Sequence, residues 1–214
     1  MNNESHFNEI QDSSPGRESD RSVSDPVLPE PPESKGLFGM SVLSFLVYGS
    51  LAWVIIYFYH DRGFAGLFES DYGWGIQLVS GTLLGLIAAG IIIFFAARSP
   101  LSSILDDFYI VQIVRKMNLS LFDRTQVSLF AGVGEELLFR GAIQPVIGIW
   151  ITSIGFVAIH GYFKFTSFAH IIFGLTMFAL SMMLGLIFEM VGLIAAMSAH
   201  AVYDIVILRW ADSD

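Results

Sequence analysis

Residues 74–97 read WGIQLVSGTLLGLIAAGIIIFFAA, twenty-four positions without a charged side chain. At about 1.5 Å per residue such a helix reaches about 36 Å, enough to cross a hydrocarbon core of about 30 Å. Upstream, 36–59 is equally free of charge. Downstream, apolar runs cover roughly 126–143, 145–162, 165–188 and 190–208. The expected fold is all-α: a polytopic transmembrane bundle of about six spans, the third and fourth short and barely separated.

Composition agrees. Of 214 residues, 54% are hydrophobic and 14% charged, and the mean hydropathy is +0.62. A soluble domain carries about 25% charged residues, so this chain lacks the charge to cover a soluble surface. It has no cysteine, which excludes disulfides, thiolate nucleophiles and Cys-ligated metals. No basic stripe is present to neutralise phosphates, so nucleic acid is not an expected partner.

Charge is concentrated at the start. Residues 1–36 hold eight of the 20 acids against three bases. Residues 1–35 are rich in Ser, Glu, Asp, Asn and Pro and poor in apolar side chains, so they are expected to be a disordered acidic tail. The acidic start does not resemble a signal peptide. Two N-terminal spans fill 36–97. In 98–125, charges interleave with Ile, Leu, Val and Phe, the pattern of an amphipathic interfacial segment. Residues 126–209 form the last four spans, and 210–214 a short C-terminal tail. With the N-terminus inside, the inner loops collect Lys35, Arg98, Arg115, Lys116, Arg124, Lys164 and Arg209, leaving Arg62 outside. That positive-inside pattern predicts a multi-pass protein in the lipid bilayer with both termini cytoplasmic.

The last four spans carry ionisable residues that a lipid-facing helix does not keep: Glu135, Glu136, Arg140, His160, His170, His200 and Asp204. Each is costly at mid-membrane, roughly 2.5–3.5 kcal/mol for Arg or Asp on insertion scales, so they are expected to meet inside the bundle. Glu136 and Arg140 stand four apart with the acid first, the better order for an ion pair. Glu135 lies about 100° round the helix and can point elsewhere. Without a dedicated counter-charge, it has the character of a general base. His200 and Asp204 share one face, as do Phe156 and His160, so the Phe156 ring can pack over the imidazole. These groups fall near the middle or in the cytoplasmic half, which implies a cavity open to the cytoplasm. His60 and His170 are expected to be interfacial or helix–helix polar residues, and Glu189 a water-exposed residue in the short turn between the last two spans.

Read in order, Glu135–Arg140 is EExxxR, Phe156–His160 is FxxxH and His200–Asp204 is HxxxD, a variant of HxxxN. Over about 126–209 these motifs resemble the CAAX prenyl endopeptidase and bacteriocin-processing (CPBP, or Abi) family of intramembrane proteases. No single motif is specific; three in this order, each at the charge of its span, form a strong joint signal. The resemblance implies an endopeptidase in which Glu135 activates water with help from His160. It also implies that His200 and the residue four after it polarise the scissile carbonyl, with Glu136, Arg140 and Phe156 in support. The prenyl endopeptidase branch has Asn where this chain has Asp204, and an ionised Asp repels an oxyanion. Asp204 is therefore protonated, orients His200, or binds a metal.

The cofactor stays open in the sequence. Glu135, His160, His200 and Asp204 could ligate a divalent ion such as zinc, yet there is no HExxH helix. A glutamate–histidine water mechanism needs no metal, and the balance favours it. The expected partner is a peptide or protein C-terminus entering from the cytoplasmic side, prenylated or not. Two other classes compete: a non-catalytic scaffold or bacteriocin-immunity factor with the same fold, and a proton-coupled transporter.

Overall fold

A computed structural model describes residues 34–61, 63–98, 102–108, 112, 116–117 and 119–211. It contains α1 (Ser34–Tyr59), a 3-10 turn (Ala65–Phe68), α2 (Trp74–Ala96), a second 3-10 turn (Ser102–Asp107) and α3 (Leu121–Glu136). A π-helical stretch (Leu137–Ile143) leads into α4 (Gln144–Ile159), followed by α5 (Phe168–Met190) and α6 (Leu193–Ala211). No strand occurs among the described residues. The expected tail lies outside them except for Ser34 and Lys35, which open α1. Likewise α6 continues through Trp210 and Ala211 of the expected C-terminal tail.

Among the described residues, five helical runs are long and apolar enough to cross a membrane. The exposed rings of Trp53, Tyr57 and Phe58 on α1 would be costly in water and suit lipid. One run, Leu121–Ile159, has 39 residues, and its two ends meet. Phe139 and Phe156 pack with ring centroids 5.0 Å apart, whereas a straight helix would separate them by about 25 Å. The chain folds back at Gly148, whose φ of +82° and ψ of 161° interrupt the helix. A residue with a Cβ rarely adopts that backbone conformation. The expected spans at 126–143 and 145–162 are corrected accordingly. The first begins earlier, and the boundary is Gly148 rather than the neighbourhood of Pro145. The returning arm, 149–159, has eleven residues and is about 16 Å long, half a membrane core.

The early start of α3 has a local cause. Ser120 accepts from the backbone N–H of Asp123 at 3.1 Å, and the Ser120 N–H donates to Asp123 Oδ2 at 3.1 Å. This reciprocal capping box fixes the N-terminus at Leu121, inside the stretch expected to be interfacial. Asp123 also accepts from Ser34 Oγ, which aligns the starts of α1 and α3. The break after α3 is local too. Pro145 has no N–H to give to the preceding turn, the Gln144 N–H reaches Phe139 O in the wider register, and the Ala142 carbonyl accepts from His60 Nε2 at 2.9 Å.

Small residues set the helix spacing. A Cβ on Gly81 or Gly85 would collide with the carbonyls of Ala195 and Ala199, and one on Gly132 would stand 2.8 Å from Ala201 N. This Gly-x-x-x-Gly ridge brings α2 flush against α6. Position 81 meets 195 and 85 meets 199, so α2 and α6 run the same way; position 132 meets 201, with 141 near 193, so α3 opposes α6. Arg140 reaches Ser181 and Gln144 reaches Gly185, so α5 runs with α3. Ser34 and Ala211 thus lie at the same end of the bundle, beside the end of α4 and the start of α5.

Candidate active site

The EExxxR stretch straddles the junction of α3 and the π-helical segment. Glu136 and Arg140 are fully buried. Arg140 Nε donates to Glu136 Oε2 at 3.0 Å, and its Nη2 donates to Ser181 Oγ at 2.8 Å. The guanidinium carbon lies 5.3 Å from the Phe156 ring centroid. Two buried charges four residues apart therefore neutralise each other, as their spacing predicts. The second carboxylate oxygen of Glu136 has another task. It accepts from His200 Nδ1 at 2.8 Å, a link across helices that no spacing rule could foretell.

Glu135 turns away from this pair. Its Oε2 lies 3.5 Å from His160 Nε2, so its nearest opposite charge is an imidazole that can gain or lose a proton. His160 caps α4. Its Nδ1 donates to the carbonyl of Phe156 at 2.7 Å, and the Phe156 ring stacks on the imidazole with centroids 4.4 Å apart. A carbonyl can only accept, so Nδ1 carries a proton and Nε2 faces Glu135, to which it can donate when the ring is doubly protonated.

His200 is held in the same way from α6. Its Nδ1 proton goes to Glu136, and its Nε2 lies 3.6 Å from Asp204 Oδ2. An acceptor thus stands behind each ring, supplied by the same motif for His160 and by Glu136 of another helix for His200.

Glu135, His160, His200 and Asp204 line one cavity of about 300 Å³, together with Phe156, Tyr162, Ser181 and Tyr203. Glu136 and Arg140 stand behind its wall. The remaining lining is mostly apolar, including Ile92, Ala96, Val127, Met177, Leu180 and Ile207. The cavity lies at the end of the bundle that carries Ser34 and Ala211. Separate helices therefore bring their motif residues to a shared pocket. Among the described residues no three carboxylate or imidazole groups converge in a metal-holding arrangement. Each histidine has its Nδ1 held by an acceptor, Phe156 O for His160 and Glu136 for His200, and turns its Nε2 toward the cavity carboxylates.

His170 lies outside this cavity. Its Nδ1 pairs with Ser167 Oγ at 2.8 Å and its Nε2 with Asp107 at 3.1 Å, tying the 3-10 turn at 102–107 to α5. His60 serves helix contact through Ala142 O. Glu189, expected to be merely solvated, is exposed but also accepts from Gln144 Nε2 at 2.9 Å. Sequence reasoning missed Ser181, Tyr162 and Tyr203. Ser and Tyr are ordinary in apolar helices, and no pattern flags them. Only the two-residue interval from His160 to Tyr162 could have drawn attention.

Residues 118–206 match the family described as Type II CAAX prenyl endopeptidase Rce1-like. The uncharacterized protein YpbD of Bacillus subtilis (strain 168) is 38% identical over 81 residues, covering 37% of this chain and 41% of that protein. The chain thus matches less than half the length of this relative. No solved structure matches.

Proposed function

We propose that this chain, a member of the CPBP family over residues 118–206, is an intramembrane endopeptidase that hydrolyses a peptide bond by glutamate-activated water. The observation that carries the reading is the 3.5 Å approach of Glu135 to His160 Nε2 on the wall of a partly apolar cavity. Glu135 takes a proton from water as the water oxygen bonds to the carbonyl carbon and the carbonyl π pair moves onto oxygen. His160, protonated on Nε2 as well, holds the water and steadies the carboxylate. When the tetrahedral species collapses, the C=O bond re-forms and the C–N bond breaks. The departing nitrogen takes the proton that Glu135 carried.

As an imidazolium, with its Nδ1 proton held by Glu136, His200 polarises the carbonyl by donating its Nε2 proton to the carbonyl oxygen, and Asp204 orients that ring. No step passes through a metal. The apolar lining favours a peptide segment or protein C-terminus with hydrophobic side chains, entering from the cytoplasmic side. In this reading the protein is an integral membrane enzyme with both termini in the cytoplasm.

The test uses full-length protein purified in detergent and an internally quenched peptide with an apolar C-terminal segment, unmodified and S-farnesylated. Cleavage of either peptide that disappears in Glu135→Gln supports the reading. Absence of cleavage by the wild type, or full cleavage by Glu135→Gln and His160→Ala, overturns it in favour of a non-catalytic scaffold. Ion flux in vesicles that depends on Glu135 would instead mark a transporter.

A further inference from the structure

Where the prenyl endopeptidase branch carries an Asn amide, this chain carries the carboxylate of Asp204, which cannot donate to an oxyanion while ionised. The cavity wall holds another donor. Helix α4 ends in a Schellman motif: Gly161 N–H donates to Ala158 O at 3.0 Å and Tyr162 N–H to Val157 O at 3.3 Å. Gly161 takes the left-handed conformation this needs, φ +71°. The motif turns the chain back on itself and lays the Tyr162 ring over His160. The two rings are nearly parallel, 13° apart, with centroids separated by 5.8 Å. Phe156 covers the opposite part of the stack. Phe108 and Phe173 hold the Tyr162 ring edge-on, at 6.2 and 5.7 Å.

Three aromatic contacts fix the ring, yet its hydroxyl makes no hydrogen bond to any described residue. A held phenol on the wall that carries Glu135, His160 and His200 is placed to donate to a group bound in that cavity.

We propose that the Tyr162 hydroxyl donates a hydrogen bond to the carbonyl oxygen of the scissile peptide, stabilising the oxyanion in the position that an Asn amide serves elsewhere. This rests on the hydrolytic reading of the cavity. The proton stays on Tyr162 throughout; the hydrogen bond shortens as the π pair moves to oxygen and relaxes when the C=O bond re-forms. Burial pushes the phenol above its ordinary range, and the negative charges of Asp204 and Glu135 push it further. It therefore remains a neutral donor across the working pH.

Tyr162→Phe keeps the ring and its contacts and removes only the donor. Measured on the quenched apolar peptide, its kcat is expected to fall about a hundredfold while KM stays within about twofold, the pattern of an interaction made only in the transition state. Substituting 3,5-difluorotyrosine at 162, which acidifies the phenol without changing its shape, is expected to move the alkaline limb of kcat to lower pH. A kcat within about threefold of wild type, a loss confined to KM, or an unmoved alkaline limb overturns the proposal. Glu135→Gln separates the two readings. If it is inactive while Tyr162→Phe is active, only the donor assignment falls; if it cleaves normally, the hydrolytic reading falls and this one with it.

Discussion

Glu136 accepts the Nδ1 proton of His200 at 2.8 Å while its other oxygen is held by Arg140. The ion pair inside one helix and the histidine of another are thus a single unit. What the motif spacing presents as structural support also sets the orientation of a cavity residue.

Removing Arg140 should therefore do double damage. Arg140→Ala leaves the fully buried carboxylate of Glu136 with only a histidine partner, and breaking a buried pair costs about 3–5 kcal/mol. The thermal midpoint in detergent should drop markedly, and cleavage should fall with it. Arg140→Lys should rescue little, because one ammonium cannot serve both Glu136 and Ser181 as the fork does. An unchanged midpoint in Arg140→Ala would show that the pair contributes nothing.

Glu135→Gln should behave in the opposite way. Glu135 lines the cavity and has no buried guanidinium to strand. Cleavage should fall by at least about a thousandfold, as expected for loss of a general base acting on water. The midpoint should stay within a few degrees of wild type. A large loss of stability with residual activity would identify Glu135 as a structural residue.

Gly148→Ala isolates the backbone. Nothing lies within 4 Å of the Cβ it would add, so any cost comes from φ of +82° and should be about 1–3 kcal/mol. The hairpin that returns His160 to Glu135 should loosen, lowering both midpoint and kcat. If neither changes, the reversal does not depend on this residue.

Gly85→Leu tests the opposite limit. There the backbone is ordinary and the neighbour, the Ala199 carbonyl, is in the way. Driving α2 from α6 should cost at least the 1–3 kcal/mol typical of overpacking and reduce the yield of folded protein in membranes. A well-folded variant with an unaltered midpoint would mean that the two helices do not pack as described.

Metal dependence is checked directly. Because no three ligands converge among the described residues, cleavage should survive treatment with EDTA and 1,10-phenanthroline. Purified active protein should contain far less than one zinc per chain. Activity lost to chelators and restored by added zinc would overturn the metal-free mechanism.

The sequence by itself determined whatever depends on neighbours along one helix. Charge-free runs such as 74–97 are long and apolar enough to cross a membrane, and as helices they satisfy their own backbone groups where lipid offers no partner. The pairing of Glu136 with Arg140, and the packing of Phe156 on His160, follow from four-residue spacing on a helix face. Only the tertiary structure decided what meets across helices: Glu136 with His200, Arg140 with Ser181, and Tyr162 over His160. It also decided where the third hydrophobic run turns back. Pro145 marks a break, but the reversal waits three residues for Gly148, the first position able to take a positive φ. Periodicity reports which side of a helix a residue occupies. Which helix faces that side is set by close packing at glycines and by buried charges finding partners, and both depend on the whole bundle.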